Sequence, residues 1–255
     1  MKLFGDYADY YDLFYEDKDY RSEAAYVDRV IRRLNPEARK LLELGCGTGK
    51  YCRAFSEMGY VVAGLDQSSR MVRRAEKRLN GSAGSTAGVR LAVGDMRSYR
   101  EDGRYDAVVA LFHVMSYLRT QDDLIAAFTT ARSHLKPGGL FLFDCWHGHG
   151  VLNDPPKNPV KIVENDRVRA LRRTTAVMQP SENAVHVRFD IELLDKETLA
   201  KTTLAENHWM RYLFAPEIEN IGAKTGLKLQ ADYRWLSEEP LDDKAWYAFF
   251  VMIGQ

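Results

Sequence analysis

Three glycines at alternate positions follow a short apolar run. The run is Leu41–Leu44, and the glycines are Gly45, Gly47 and Gly49. Glycine lets a backbone approach a ligand where any Cβ would collide with it. The order is G-x-G-x-G, not the G-x-G-x-x-G of dinucleotide-binding proteins, so the spacing argues against NAD. We therefore predict a loop that binds another cofactor, and the class of that cofactor limits the chemistry.

A carboxylate follows the second apolar run. Residues 59–65 contain glycine, valine, alanine and leucine, and Asp66 comes directly after them. Asp66 lies about 20 residues after Gly45, the spacing at which an acid that ends the second strand meets a ribose. An ionised carboxylate can accept hydrogen bonds from both ribose hydroxyls. Strand, glycine loop, helix, strand and acid in this order predict a site for a nucleoside-containing cofactor.

Alternating strands and helices must position these residues. Amphipathic spacing and capping residues predict helices at about 20–34, 70–79, 120–135 and 216–225. Apolar runs predict strands between them at 41–44, 61–66, 89–93, 105–112 and 140–143. This alternation predicts a parallel sheet with right-handed crossovers and a ligand at the carboxyl ends of its strands.

The chain changes character after Trp146. Extended segments joined by short turns predict an antiparallel arm, with strands at about 161–163, 168–178, 185–194 and 199–212. Two further strands are expected at 227–233 and 246–253, and residues 80–88 are expected to form a surface loop.

These motifs resemble those of class I S-adenosylmethionine-dependent methyltransferases. Gly94-Asp95-Met96 matches the family element whose acid meets the adenine amino group, and Leu135-Lys136-Pro137-Gly138-Gly139 matches the turn before the fifth strand. The resemblance implies an α/β, Rossmann-like, doubly wound fold with a mostly parallel seven-stranded sheet and helices on both faces. The antiparallel β arm would be an addition in the C-terminal half.

The resemblance also implies the cofactor, S-adenosylmethionine, which becomes S-adenosylhomocysteine. Tyr20 would hydrogen-bond the methionine carboxylate. The full set of implied cofactor-binding residues is Tyr20, Glu43, Gly45, Cys46, Gly47, Gly49, Asp66, Gln67, Met71, Asp95, Met96, Leu111 and Phe112.

The ends of the chain narrow the resemblance to bacterial nucleotide-linked amino-sugar N-methyltransferases. The similarity lies in residues 7–15 and 18–24, in Ser116-Tyr117-Leu118 and in Tyr212-Leu213-Phe214. It implies methyl transfer to a small polar acceptor, most simply the amine of a nucleotide-linked sugar. Asp144-Cys145-Trp146-His147 departs from the family's Glu-Pro-Trp-Trp, so the wall that faces the acceptor differs.

Aromatic side chains near the N-terminus suit a cationic methyl donor. Tyr7, Tyr11 and Tyr15 on a helical lid would stabilise a sulfonium by roughly 0.5–2 kcal/mol and exclude water. By the resemblance, Tyr15 would face the methyl group or the acceptor, and Tyr11 would contact the substrate. The alternative is that these tyrosines only pack the helix on the core.

Histidines at the predicted strand ends are candidate bases. His113 follows the fourth strand and His147 the fifth, and we favour His147 for acceptor contact or proton removal. A loop histidine without a role is the alternative for His147. For the acceptor we predict contacts from Tyr117, Trp146 and Arg169. Arg169 belongs to a basic run, 167–173, that either grips a diphosphate or forms a solvated strand face.

Composition sets the remaining expectations. Lys+Arg and Asp+Glu both number 36, so no basic surface for nucleic acid is indicated, and no apolar run or signal region indicates a membrane. Three cysteines without metal-ligand spacing indicate a reducing compartment, so a cytoplasmic location is expected. We predict one domain, with a lid at 1–35, a cofactor-binding core at 36–146, a substrate or homodimer arm at 160–212 and final core elements at 213–255.

Three functions remain open at this stage. The first is an enzyme that methylates a small acceptor, on nitrogen or on oxygen. The second is a methyltransferase that acts on RNA or protein. Asn153-Asp154-Pro155-Pro156 resembles the signature of nucleic-acid amino methyltransferases, but that signature should follow the fourth strand. The third is a subunit that binds the cofactor without catalysis.

Overall fold

The computed structural model describes residues 8–80 and 88–255. Tyr7 and most of the loop predicted at 80–88 lie outside these residues. The strands are β1 (Lys40–Leu44), β2 (Val61–Asp66), β3 (Val89–Val93), β4 (Tyr105–Ala110), β5 (Leu135–Trp146), β6 (Val160–Glu164), β7 (Val168–Gln179), β8 (Ala184–Asp195), β9 (Lys201–Arg211), β10 (Leu227–Arg234) and β11 (Tyr247–Gly254). The helices are α1 (Ala8–Phe14), α2 (Tyr20–Leu34), α3 (Lys50–Glu57), α4 (Ser69–Asn80), α5 (Gln121–His134), α6 (Gly148–Asn153) and α7 (Ala215–Thr225).

Seven of the described strands form a large sheet in the order β10-β11-β5-β4-β1-β2-β3. The pairs among β1 to β5 are parallel, and only β11 runs against its neighbours β5 and β10. The chain goes outward from β1 to β3 and then returns to β4 beside β1. This reversal opens a crevice at the carboxyl ends of β1 and β4. The predicted doubly wound, mostly parallel sheet is confirmed.

Helices cover both faces of the large sheet, as predicted. Alternate residues of each strand point to opposite faces, so Phe141 and Phe143 pack under α5 and α7, whereas Leu140 and Leu142 pack under α2 and α3. β4 is buried along its whole length. The central strands therefore form a rigid base for the residues at their carboxyl ends.

Local sequence signals account for several helix ends. Thr120 and Asp123 form a capping box at the start of α5, and Gly226, at φ 73°, ends α7. α6 was missed, because Gly148 and Gly150 are poor helix formers. A Cβ on Gly150 would lie 2.6 Å from Trp246 Cα, so close packing against the segment before β11 explains the glycine there.

The remaining strands form a small antiparallel sheet in the order β6-β7-β8-β9. This is the predicted arm. Phe14 of α1 is fully buried against Ala170, Ile191 and Leu193 of this sheet. The N-terminal helix thus packs on the arm as well as on the core. Within the described residues, no helix is both long and apolar enough to span a bilayer.

Candidate active site

A cavity of about 430 Å³ lies at the carboxyl ends of the central strands, between the large sheet, α1 and the small sheet. Most residues that the sequence predicts for the site line it. These are Tyr11, Tyr15, Tyr20, Glu43, Gly45, Cys46, Gly47, Asp66, Gln67, Met71, Asp95, Met96, Leu111, Phe112, His113, Tyr117 and Trp146. Gly49, His147 and Arg169 do not line it.

The glycine loop is tied to the end of β2. Gly45 and Cys46 donate backbone hydrogen bonds of 2.7 and 2.9 Å to the carbonyl of Leu65, and Gly47 donates one of 2.9 Å to Asp66 Oδ2. Gly47 has φ 53°, and a Cβ there would have no neighbour within 4 Å. The loop therefore presents bare backbone to the cavity, which is the surface that a nucleoside-containing cofactor needs.

Gly49 has a different role from the one predicted. It has φ 74° and precedes α3, and a Cβ on it would lie 2.8 Å from the Ala75 Cβ of α4. Its small size lets α3 begin close to α4. Gly49 therefore determines how closely the loop packs on α4, and it does not line the cavity.

Two acids at the carboxyl ends of β1 and β2 lie in the cavity wall, Glu43 fully buried and Asp66 partly exposed. Burial raises the pKa of Glu43 to about 8, although the Cys52 thiol donates a 2.9 Å hydrogen bond to it. Burial also raises the pKa of Asp66, against the hydrogen bonds that Ser68 and Gly47 donate. Asp66 is thus held in place by backbone while it lies beside the space for a ligand.

The remaining predicted cofactor contacts fit S-adenosylmethionine. The hydroxyl of Tyr20 is buried at the cavity wall and makes no well-formed hydrogen bond to the described residues. Such a hydroxyl can donate a hydrogen bond to the carboxylate of a ligand. At the other end, Arg97 donates to both oxygens of Asp95 and lowers its pKa. Asp95 is therefore an ionised acceptor, as an adenine amino group requires.

His113 lines the cavity, and close contacts fix the position of its ring. Phe112 and His113 have φ of 62° and 61°, a left-handed conformation that costs about 1–3 kcal/mol per residue. The His113 ring stacks on Tyr247 at 4.4 Å, and its Nδ1 lies 2.5 Å from Oδ2 of the fully buried Asp144. The contact does not have hydrogen-bond geometry, but the charge of a carboxylate beside Nδ1 favours a proton on that nitrogen, which leaves Nε2 as an acceptor.

His147, the base favoured from the sequence, lies away from the cavity. Its Nδ1 donates a 2.9 Å hydrogen bond to the carbonyl of Ala245, and its backbone N–H donates one to Trp246. The side chain is buried, and this burial lowers its pKa. His147 thus joins the end of β5 to the segment before β11, and this placement does not support a role as a base.

The basic run places Arg172, not Arg169, beside the site. Arg169 is exposed, whereas Arg172 shares the buried face of β7 with Ala170. Arg172 Nη1 donates a 3.3 Å hydrogen bond to the Tyr15 hydroxyl, and its guanidinium lies 4.4 Å from the centre of the Phe189 ring. The predicted contact between Arg169 and the acceptor is not supported, because alternate residues of a strand face opposite sides.

The sequence predicted a substrate or homodimer arm at 160–212 but not which residues of the small sheet would line the cavity. Val187, Phe189, His208 and Met210 from β8 and β9 line the cavity. Burial lowers the pKa of His208 to about 4, and a 3.2 Å hydrogen bond joins its Nδ1 to the Tyr117 hydroxyl. The i, i+2 spacing within each strand was an available signal, but the sequence did not say which face is turned to the core.

Within residues 8–80 and 88–255, no cluster of His, Cys, Asp and Glu could hold a metal ion.

Comparisons with known proteins agree with this geometry. Residues 41–139 match the sequence family described as "Methyltransferase domain". The chain is 38% identical over 143 residues to a Streptomyces venezuelae dTDP-3-amino-3,4,6-trideoxy-alpha-D-glucopyranose N,N-dimethyltransferase. The aligned residues cover 55% of this chain and 57% of that protein. The chain spans little more than half the length of the curated relatives it matches.

Solved structures match almost the whole chain. The crystal structure of Streptomyces venezuelae DesVI has a TM-score of 0.81 and 27% identity, over 98% of this chain and 99% of that one. SAM-bound CalS10, an amino pentose methyltransferase from Micromonospora echinaspora, has a TM-score of 0.75 and 24% identity, over 100% and 99%. The fold expected from the sequence motifs is thereby confirmed.

Proposed function

We propose, from the match of residues 41–139 to a methyltransferase domain family, that the chain transfers a methyl group from S-adenosylmethionine to the amino group of a nucleotide-linked sugar. The observation that carries the proposal is the cavity itself. The glycine loop, Asp66 and Asp95 lie at one end of it, and Tyr15, His113 and the small sheet enclose the other.

Residues of the core would hold the cofactor. Asp66 would accept the ribose hydroxyls, Asp95 the adenine amino group, and the Tyr20 hydroxyl would donate to the methionine carboxylate. When bound, S-adenosylmethionine supplies a methyl carbon attached to a cationic sulfur. Tyr15, whose ring contacts Phe112 edge-on at 5.2 Å, offers an aromatic face to such a cation.

His113 would serve the acceptor. A neutral amine attacks in line, so most of the acceleration comes from alignment, up to roughly 7–11 kcal/mol in the best models. Asp144 and Tyr247 hold the His113 ring in one orientation. Nε2 can then accept a proton or a hydrogen bond from the acceptor. Tyr11, Tyr117 and Trp146 would contact the acceptor from α1 and from the ends of β4 and β5.

Two observations support an amino sugar as the acceptor, namely the similarity to a named relative and the chemistry of the cavity wall. The Streptomyces venezuelae relative is named for a dTDP-linked amino sugar. Here the wall combines aromatic rings with the Tyr117 hydroxyl and His208, which its lowered pKa keeps neutral at pH 7. Such a wall suits a polar, uncharged sugar ring. We further propose that the chain works as one domain, as a homodimer and in the cytoplasm, where its free cysteines stay reduced.

The first test is calorimetric titration with S-adenosylhomocysteine. Loss of a hydrogen bond to a charged group costs about 1.5–3 kcal/mol, so Asp66→Ala should weaken binding about tenfold or more. The control is Asp190→Ala, because Asp190 is paired with Arg188 on the surface of the small sheet. The control should bind like the wild type. Absence of binding to folded wild-type protein would overturn the proposal.

The acceptor is then tested by mass spectrometry of products formed from a dTDP-linked 3-amino sugar. A gain of one or two methyl groups on nitrogen is expected. Methylation on oxygen, turnover only on RNA or peptide, or cofactor binding without any turnover would each contradict the proposed acceptor.

A further inference from the structure

Asp12 on α1 joins the lid to the cofactor-binding loop. Thr48 Oγ1, which belongs to the glycine loop, donates a 2.8 Å hydrogen bond to Asp12 Oδ1. Arg78 Nη2 of α4 lies 2.5 Å from Asp12 Oδ2, and Lys50 Nζ of α3 lies 3.5 Å from Oδ1. Arg74 Nη2, also of α4, lies 3.5 Å from Oδ2. One carboxylate therefore contacts the loop and the two helices that flank it.

Arg78 and Lys50 also donate hydrogen bonds to backbone carbonyls of the glycine loop and of the lid. Arg78 Nε donates a 2.9 Å hydrogen bond to the carbonyl of Thr48, and Lys50 Nζ donates one of 3.2 Å to the carbonyl of Tyr15. The side chain of Asp12 is only 20% exposed, so solvent screens these pairs less than it screens ordinary surface pairs.

The position of Asp12 on α1 determines what the lid presents to the cavity. Tyr11 and Tyr15 are four residues apart, so they lie on one face of the lid segment, and both line the cavity. Phe14 packs on the small sheet. Asp12 is thus the polar anchor of a helix whose aromatic residues close the site and whose apolar residue is held by the arm.

We infer that Asp12 is a positioning residue, which fastens α1 over bound cofactor so that release of S-adenosylhomocysteine requires its contacts with Thr48 and with the basic residues of α3 and α4 to break. The inference rests on the proposed function for the identity of the ligand. The contacts themselves do not depend on it. The anchoring group is a single carboxylate, so its charge and its hydrogen bond can be removed separately.

The experiment compares Asp12→Ala, Asp12→Asn and the control Asp17→Asn. Asp17 follows the same helix but is 74% exposed and pairs with Lys161 of β6. Stopped-flow displacement measures dissociation of S-adenosylhomocysteine. Because Asp12→Ala removes every contact of the carboxylate, we expect the rate constant to rise about tenfold, and about threefold for Asp12→Asn, which keeps an acceptor for Thr48. Asp17→Asn should match the wild type.

Hydrogen exchange of the α1 amides in the ligand-free protein is the second readout. It should be about tenfold faster in Asp12→Ala and unchanged in Asp17→Asn, because only the former loosens the helix. If both dissociation and exchange are unchanged in Asp12→Ala, the inference is overturned. If the wild type binds no S-adenosylhomocysteine but exchange responds as expected, the proposed function fails and the anchoring role of Asp12 stands.

Should Asp12→Ala not fold, Asp12→Asn and Thr48→Val carry the test. Thr48→Val removes the hydroxyl, so it should accelerate dissociation both in the wild type and in Asp12→Asn, where the asparagine oxygen still accepts the Thr48 hydrogen bond. Raising the salt concentration from about 0.05 to 0.5 M should accelerate dissociation in the wild type and much less in Asp12→Asn, because only charged pairs are screened. Equal salt effects in the two proteins, or unchanged dissociation in Thr48→Val, would contradict the anchoring role of Asp12.

Discussion

Individual side chains in the site have environments that their sequence neighbours do not indicate. His113 and His147 both follow core strands, yet His113 faces the cavity beside Asp144, whereas His147 bonds to the carbonyl of Ala245. Glu43 is an acid in the core whose pKa burial raises to about 8. At neutral pH it is therefore mostly protonated in the folded protein.

Burial of Glu43 gives folding stability a distinct pH dependence. Its folded pKa is above the ordinary value of 4.5, so the unfolded chain loses this proton first as the pH rises. The contribution of the protonated Glu43 carboxyl to the free energy of unfolding is therefore complete below about pH 4.5 and is lost as the pH rises to about 8. Glu43→Gln has no proton to lose.

We expect the free energy of unfolding of Glu43→Gln, minus that of the wild type, to increase between about pH 5 and 8 and then level off. Urea denaturation at several pH values measures this difference. A difference that is constant across this range would contradict a protonated Glu43. Glu101→Gln is the control, since Glu101 is only partly buried and its pKa is lowered, so its difference should not grow over the same range.

At the scale of elements, packing overrides local propensity in α6. Gly148 and Gly150 weaken helix formation, but the helix forms between β5 and the segment that leads to β11. Cβ atoms at both positions would collide, with Phe214 at Gly148 and with Ala245 and Trp246 at Gly150. The close approach therefore requires glycine and places α6 directly after the cavity wall.

Gly150→Ala tests this packing. Overfilling a packed contact costs about 1–3 kcal/mol, so we expect a loss of that size in the free energy of unfolding. Gly103→Ala is the control, because its added Cβ would be no closer than 3.5 Å to Tyr105. The control should change stability by about 0.5 kcal/mol or less. Equal effects of the two substitutions in chemical denaturation would contradict the packing argument.

At the scale of the whole molecule, cofactor binding and acceptor binding are divided between the two sheets. The large sheet carries the glycine loop, Asp66 and the sites for the cofactor, and the small sheet closes the opposite side of the cavity with Phe189 and His208. α1 lies between them, with Asp12 on the loop and Phe14 on the small sheet. A substitution in the small sheet should therefore affect the acceptor without affecting the cofactor.

Phe189→Leu is the substitution that tests this division. Because Phe189 lines the cavity from β8, we expect KM for the amino-sugar acceptor to rise about tenfold, while the Kd of S-adenosylhomocysteine changes by about twofold or less. Steady-state kinetics and calorimetry on the same preparation measure both. The matched control is Val177→Ala, an exposed position on β7, which should change neither. A parallel loss of cofactor binding in Phe189→Leu would contradict the division.

The sequence by itself determined the order of the elements, the glycine loop, the acid Asp66 and the antiparallel arm. These follow from local rules, because apolar periodicity, glycine spacing and turn residues act within a few positions of one another. The same rules indicated that His113 follows the fourth strand, whereas Asp95, Tyr15 and Phe112 were implied by the resemblance to methyltransferases.

Only the tertiary structure decided which residues of the arm and of the loops face the cavity. A strand offers two faces, and the choice of Arg172 over Arg169 depends on how the small sheet packs against α1. The choice of His113 over His147 likewise depends on Asp144 and Tyr247, which the pairing of β5 with β11 brings together. Such long-range packing is decided by the burial of whole faces, and residue spacing along the chain carries no record of it.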